Sequence, residues 1–525
     1  MAIAKIARNA VIAKLIEPDP KVASFVSSLL SYEEASNGIG WSGKSSFFDV
    51  STRTFPAGFA YLVQAELTKI GHTVMPIVKP IATPLGPENP IVDEFGNDDP
   101  RYDYQIKALR QVEKHGAGII RVATGGGKSK IAKLIMSRFK RMTLFLTTRG
   151  ILLYQMDDQL KEIGFETGQI GDGEIRAVRG INLGMVQTLV QALEVPDLGK
   201  EVRAIVKSNH LSKGKNPDMP REKIMELAQE KFDYKTKKRE AILKFLSLIE
   251  VVIGEEAHEA GGTSYYEILR HCKNATIRVA LTATPFMRDS AADNMRLMAA
   301  FGPVLIDIPE KLLIERGILA TPKFKFVDCQ APKGLFKSSP FERGYTLGYT
   351  QNEFMLADML RDAHRAAVRG LPTLTLIARK AHGDAILKHY RGQGLLFEFL
   401  RGEDDQKNRR VQLNKLVTGE LDGVIGTTIL DVGVDVPAIG LVQLAGGMKA
   451  EVGLRQKIGR GLRFKKKGPN IAFIADYSCN LNNTLRDHAR QRQNIVRSTP
   501  GFVEGILPDG QDFDWSLFPV LKEAA

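Results

Sequence analysis

The chain has 525 residues, 43% of them hydrophobic and 25% charged, with a formal net charge of +13. That is too long for one ordinary domain and typical of a soluble globular protein, and its basic balance favours a polyanionic partner. No apolar run approaches the roughly 20 residues of a membrane span, and Cys272, Cys329 and Cys479 lie too far apart for metal-ligand spacing, so a reducing cytoplasm is expected.

In chain order, MAIAKIARNAVIAKLI is basic and apolar, but Lys5, Arg8 and Lys14 interrupt any signal-like core. A first strand or helix is expected there. SSFFDVSTRTF reads as a strand and turn, AGFAYLVQAELTKIG as an amphipathic helix closed by Gly71, and HTVMPIV as another strand. Residues 1–80 thus predict a small accessory α+β domain. Residues 81–100, rich in Pro, Gly and acids, read as a linker. From 101 to 320, GIIRVAT, MTLFLTT, EVVIGEE and IRVALTAT alternate with helical patterns, which predicts a mainly parallel sheet with crossovers. A Lys-rich stretch at about 197–244 interrupts it, either as a solvated helical excursion or as an extra nucleic-acid contact. The same grammar resumes over 321–497 with TLTLIAR, LLFEFL, DGVIGTT, GLVQLAG and NIAFIAD, and 498–525 reads as a C-terminal tail. The fold class is α/β, with two tandem parallel-sheet domains.

Two segments carry chemistry. RVATGGGKSKIAKLIM places Gly125, Gly126 and Gly127 between a strand and a helix, where backbone N–H groups can approach a triphosphate that a Cβ would obstruct. Lys128 supplies a cation to the β- and γ-phosphates, and the Ser129 hydroxyl is placed for Mg²⁺. Val122 occupies the first glycine position of the strict phosphate-loop pattern. Further on, EVVIGEEAHEA ends an apolar strand in Glu255 and Glu256, followed by His258. One carboxylate can hold the Mg²⁺ hydration shell while its neighbour orients the attacking water.

With ATGGGKS, EEAH, LTATP and QKIGRGLR in that order, residues 101–480 resemble superfamily 2 helicases. They are most similar to the XPB-type branch, with restriction-enzyme helicase subunits and UvsW-type phage recombination helicases. The resemblance implies two RecA-like domains, ATP and Mg²⁺ as cofactors, a bacterial or phage-infected cytoplasm, and hydrolysis in the cleft where the domains meet. Tyr104 and Gln105 match the adenine-recognition element, though the arginine usual two residues earlier is displaced to Arg101. Thr124 completes the phosphate loop. Glu255 stands where the family has aspartate, Glu256 matches the catalytic base, and His258 matches the residue that links hydrolysis to nucleic-acid binding. Thr282 and Thr284 match the coupling motif. Thr148, Arg149, Gln155 and Thr428 match positions that hold the nucleic-acid backbone, and Gly433 and Asp435 match a nucleotide-contacting motif. Gln456, Arg460 and Arg463 match the motif that completes the ATP site.

The function so implied is an ATP-dependent DNA helicase or branch-migrating translocase on single-stranded, forked or branched DNA, alongside replication or recombination proteins. An RNA helicase is one alternative. A DNA-binding clamp with little turnover is another, favoured by Glu255 alone. A restriction subunit is less favoured, because no nuclease segment follows Arg497. In the N-terminal domain, Trp41, Lys44, Phe47, Phe48 and Arg53 suit duplex DNA, or the aromatics simply fill a small core.

Overall fold

The computed structural model describes residues 3–33, 43–211, 219–258, 261–286, 290–401, 404, 406–427, 439–446, 451–465 and 468–521. The chain forms two compact units, Met1–Arg121 with Lys128–Asp307, and Val122–Gly127 with Ile308–Ala525.

In the first unit the N-terminus is a strand pair. Ile3–Arg8 and Ile12–Ile16 run antiparallel in a four-stranded sheet completed by Thr54–Pro56 and Thr73–Val78. Alternation along the first two strands buries Ala4, Ile6, Ala13 and Leu15, the period-2 signature of a sheet with one covered face. The helices Pro20–Leu29 and Ala60–Lys69 contribute Val22, Val26, Val63 and Leu67 to this core. Phe48, 4% exposed, belongs to it, and the Phe47 ring packs at a tilt with centroids 5.1 Å from Tyr32 and 5.3 Å from Phe59. Phe48 is therefore a core residue and Phe47 packs, partly buried, against that core; Lys44 and Arg53 are exposed, and Trp41 lies outside the described residues. The core runs on into Met295, Met298 and Ala299 of the helix Ala291–Phe301.

Residues 81–100 correct the linker reading. Leu85 and Gly86 donate backbone hydrogen bonds to Phe139 and Arg138. Arg138 Nη1 donates back to the Gly86 carbonyl at 2.6 Å, and Val92 is 1% exposed. The segment is a strap laid along the helix Lys128–Phe139. Proline and glycine here fit a close backbone path, and composition alone could not tell that from slack.

The main sheet of the first unit has eight strands, ordered Glu174–Arg176, Thr167–Gly171, Ile181–Met185, Thr143–Thr147, Val251–Glu255, Ile277–Thr282, Ala117–Val122 and Val304–Ile308. The four strands predicted from apolar runs are adjacent in it and parallel. Strands covered on both faces read as continuous apolar runs, which is why they were legible. Gly116, at φ +73, ends the helix Asp103–His115 just before the strand Ala117–Val122. The Lys-rich insertion is helical, as Leu198–Leu211 and Arg221–Leu248.

The second unit has six parallel strands, ordered Thr321–Asp328, Ile471–Ser478, Leu441–Ala445, Thr373–Ile377, Gly423–Gly426 and Phe397–Leu400. The two helix-covered parallel sheets are RecA-like domains in tandem. Residues 498–521 are no loose tail. Phe513, Trp515 and Phe518 pack on Phe473 with ring centroids 4.6, 4.9 and 5.6 Å away, and Leu521 N donates to Val368 O.

Candidate active site

A strand–loop–helix passage presents the predicted phosphate loop. The strand Ala117–Val122 leads into residues 123–127, and the helix Lys128–Phe139 starts at the lysine itself. Gly125 and Gly127 take φ +86 and +82, in the left-handed region that a side chain resists. A Cβ on Gly126 would lie 2.6 Å from Val122 Cγ1 and 3.1 Å from the Ala123 carbonyl. The residue that breaks the strict motif, Val122, thus packs directly on the loop it opens. The loop groups with the second unit. Ala123 N donates to Ile308 O at 2.9 Å, and a Cβ on Gly459 would lie 2.8 Å from Thr124 Cβ. Gly459 belongs to the helix Glu451–Gly461, which carries Gln456 and Arg460.

Five residues predicted from three motifs form one connected line in the first unit, four through side chains and Thr284 through its backbone N–H. Lys128 Nζ pairs with Glu256 Oε1 at 2.6 Å, with the side chains 11% and 15% exposed. Glu256 Oε2 stands 3.4 Å from His258 Nδ1. That nitrogen is 2.7 Å from the Thr282 hydroxyl, which accepts from the backbone N–H of Thr284 at 3.2 Å. Thr282 and Thr284 are fully buried, and His258 is 9% exposed. Glu256 adopts φ +45, uncommon for a glutamate and of the kind that accumulates where function dictates geometry.

Glu255 closes the strand Val251–Glu255 at 6% exposure, and its carbonyl accepts from the Tyr265 hydroxyl at 3.0 Å. No cluster of three or more His, Cys, Asp or Glu able to hold a metal occurs among the described residues. One buried carboxylate and the Ser129 hydroxyl are too few for a protein cage. They fit Mg²⁺ that arrives with a triphosphate and keeps most of its shell as phosphate oxygens and water. Glu255 and Ser129 would hold it, and its chemistry there is charge neutralisation on the phosphate oxygens.

Tyr104 and Gln105, 2% and 4% exposed, lie on the helix Asp103–His115, which packs on the phosphate-loop helix. Thr148 and Arg149 precede the helix Gly150–Glu162, which carries Gln155. The Thr148 carbonyl accepts from Gln187 Nε2 at 3.0 Å. Gln187, which sequence reasoning did not single out, thus touches the predicted backbone grip; its one signal was LGMVQTL, another strand-to-helix junction in this sheet. Arg463 pairs in a bridge with Leu319, and burial lowers its pKa. The Arg460 side chain, with Thr428, Gly433 and Asp435, lies outside the described residues. Beside Gln456, Arg455 was also missed. Its guanidinium grips Glu310 at 2.7 and 2.7 Å, with both side chains 6% exposed.

Tandem RecA-like units with this loop and carboxylate pair define the class, a nucleotide-driven motor fold. Residues 99–287 match the family model "Type III restriction enzyme, res subunit", and 358–465 match "Helicase conserved C-terminal domain". IRC3 of Saccharomyces cerevisiae is 26% identical over 293 residues, 52% of this chain and 39% of IRC3. The chain thus spans about two fifths of that relative's length. The DUF1998 helicase MrfA, solved bound to DNA, shares the fold at TM-score 0.51 and 15% identity, over 80% of this chain and 56% of MrfA. UvsW of phage T4 aligns over 97% of this chain and 99% of UvsW, at 16% identity and TM-score 0.43.

The chain carries the two domains of a superfamily 2 helicase. Among the described residues no helix is long and apolar enough to cross a membrane.

Proposed function

We propose that this helicase acts on DNA, moving along or unwinding single-stranded, forked or branched molecules such as recombination intermediates, alongside other replication or recombination proteins. The observation that carries the motor part is the line from Lys128 through Glu256, His258 and Thr282 to Thr284. The DNA part is supported by the net charge of +13 and by the DNA-bound state of the similarly folded MrfA.

In this reading Lys128 leaves Glu256 for the γ-phosphate when ATP binds. The freed carboxylate then orients and deprotonates the attacking water. Arg460 and Arg463 bring positive charge to the transferring phosphoryl group, worth on the order of 10³-fold or more in arginine-finger systems. Tyr104 and Gln105 hold the adenine, and Gly433 and Asp435 touch the nucleotide. Thr148, Arg149, Gln155 and Thr428 grip backbone phosphates, so the His258–Thr282 contact ties hydrolysis to that grip.

ATPase rates with single-stranded, duplex, forked and four-way DNA, and with RNA, test the proposal side by side. DNA, and branched DNA most, should stimulate turnover, while Glu256→Gln should bind ATP yet lose at least about 100-fold in rate. Stronger stimulation by RNA would move the substrate to RNA; near-wild-type turnover by Glu256→Gln would remove the assignment of the base.

A further inference from the structure

The helices Leu198–Leu211 and Arg221–Leu248 pack on each other as a hairpin set between the helix Val186–Leu193 and the strand Val251–Glu255. At 1.5 Å per residue the second helix is about 42 Å long. Ile242, Phe245 and Leu246, near its end, sit in the core of the first unit. Between Arg221 and Glu240, only Ala228 is buried among the described residues. Roughly 30 Å of helix is therefore an arm supported by its partner helix.

The arm is rooted beside the predicted backbone grip. Arg239 Nε donates to the Leu193 carbonyl at 3.0 Å, at one end of a two-turn helix. At the other end Gln187 donates to the Thr148 carbonyl.

One face of the arm carries cations and no acid. At 100° per residue, the five acids of the long helix, Glu222, Glu226, Glu230, Asp233 and Glu240, fall within an arc of about 80°, which they share with Lys237 and Lys244. Tyr234, Lys238 and Lys231 lie about 80 to 140° round from Glu226, and Tyr234 is 66% exposed. Lys235 is taken up by the buried Glu201 at 2.5 Å. Glu201 is the sole acid of the helix Leu198–Leu211, whose Arg203 and Lys207 are exposed. A hairpin that merely needs solvation gains from mixing signs as i,i+4 pairs. Asp233–Lys237 and Glu240–Lys244 have that spacing here, but the arc of Tyr234, Lys238 and Lys231 holds no acid and leaves an aromatic among cations.

We propose that the arm is a second nucleic-acid contact, in which Arg203, Lys207, Lys231 and Lys238 meet backbone phosphates and Tyr234 packs on a sugar or base. It rests on the helicase assignment and deepens the proposed function without depending on DNA over RNA. Each phosphate neutralised on duplex DNA contributes about 0.9 to the slope of log affinity against log salt.

The test is the full-length variant R203E/K207E/K231E/K238E, with its fold checked by thermal melting, binding single-stranded and duplex DNA and RNA across a KCl series. The slope on duplex should fall by about 3 to 4, and affinity near 0.1 M salt by about tenfold or more. ATPase without nucleic acid and kcat at saturation should hold, while the half-saturating nucleic-acid concentration rises. A wild-type slope and affinity on every nucleic acid would overturn the proposal. So would an equal loss in E226K/E230K, which alters the acidic face. Wild-type stimulation by RNA alone would count against the DNA reading and leave the arm tested on RNA.

Discussion

At the scale of single residues, the lysine meant for phosphate and the glutamate meant for water neutralise each other at 2.6 Å. Both residues were legible in the sequence, because a phosphate loop and a carboxylate pair at a strand end are local patterns. Their meeting was legible only through the family resemblance, since 128 and 256 are far apart in the chain and no local rule joins them. The His258–Thr282 hydrogen bond was hidden for the same reason, although each residue had been assigned a coupling role. A different residue makes a pH prediction. His382 is fully buried against Tyr345 and Tyr349, neither ring nitrogen has a hydrogen-bond partner among the described residues, and burial pushes its pKa down to about 4. Above the ordinary value of 6.5 the ring is neutral folded and unfolded, and contributes no pH dependence. As pH falls from 6.5 towards 4, the unfolded chain takes up the proton and the folded one does not. Stability should drop in that window by up to on the order of 3 kcal/mol. His382→Leu should flatten the denaturation midpoint there, and parallel curves for the two proteins would disprove it.

At the scale of elements, strands covered by helices on both faces were read correctly because sustained apolarity is their signature. The short strands Thr167–Gly171, Glu174–Arg176 and Ile181–Met185 escaped, since glycine and polar residues dilute that signal. Helix placement depends on contacts that sequence does not display. Arg455 and Glu310, 145 residues apart, fix the helix of Gln456 and Gly459 against the start of the helix Glu310–Glu315. Removing one partner strands a buried charge, at about 3–5 kcal/mol, whereas replacing both with apolar residues of similar volume is often neutral. Arg455→Met should therefore lower the guanidinium midpoint of the second unit strongly. R455M/E310L should recover most of that loss, and equal destabilisation by the single and double variants would show the pair to be worth no more than its packing.

At the scale of the whole molecule, the +13 charge anticipated a polyanionic partner without locating it. The acid-free face of the arm is where the proposed second contact places part of that charge. The strap at 81–100 and the packed segment 498–521 show where composition misleads. Pro, Gly and acidic residues mark chain that avoids regular structure, which is a separate matter from chain that avoids contact. Two units with separate sheets and cores need not melt together, so a signal confined to one of them has practical worth. The sequence holds two tryptophans, Trp41 and Trp515. Trp515 is 8% exposed, wedged between Phe473 and Phe513 with Arg369 over its ring. In a Trp41→Phe protein it becomes a lone fluorophore. Its emission should start blue, as for an indole shielded from water, and shift red at the denaturant concentration where the second sheet opens, whatever the ellipticity of the first unit does. A native spectrum already red would mean that the final turn of the chain is not docked in solution.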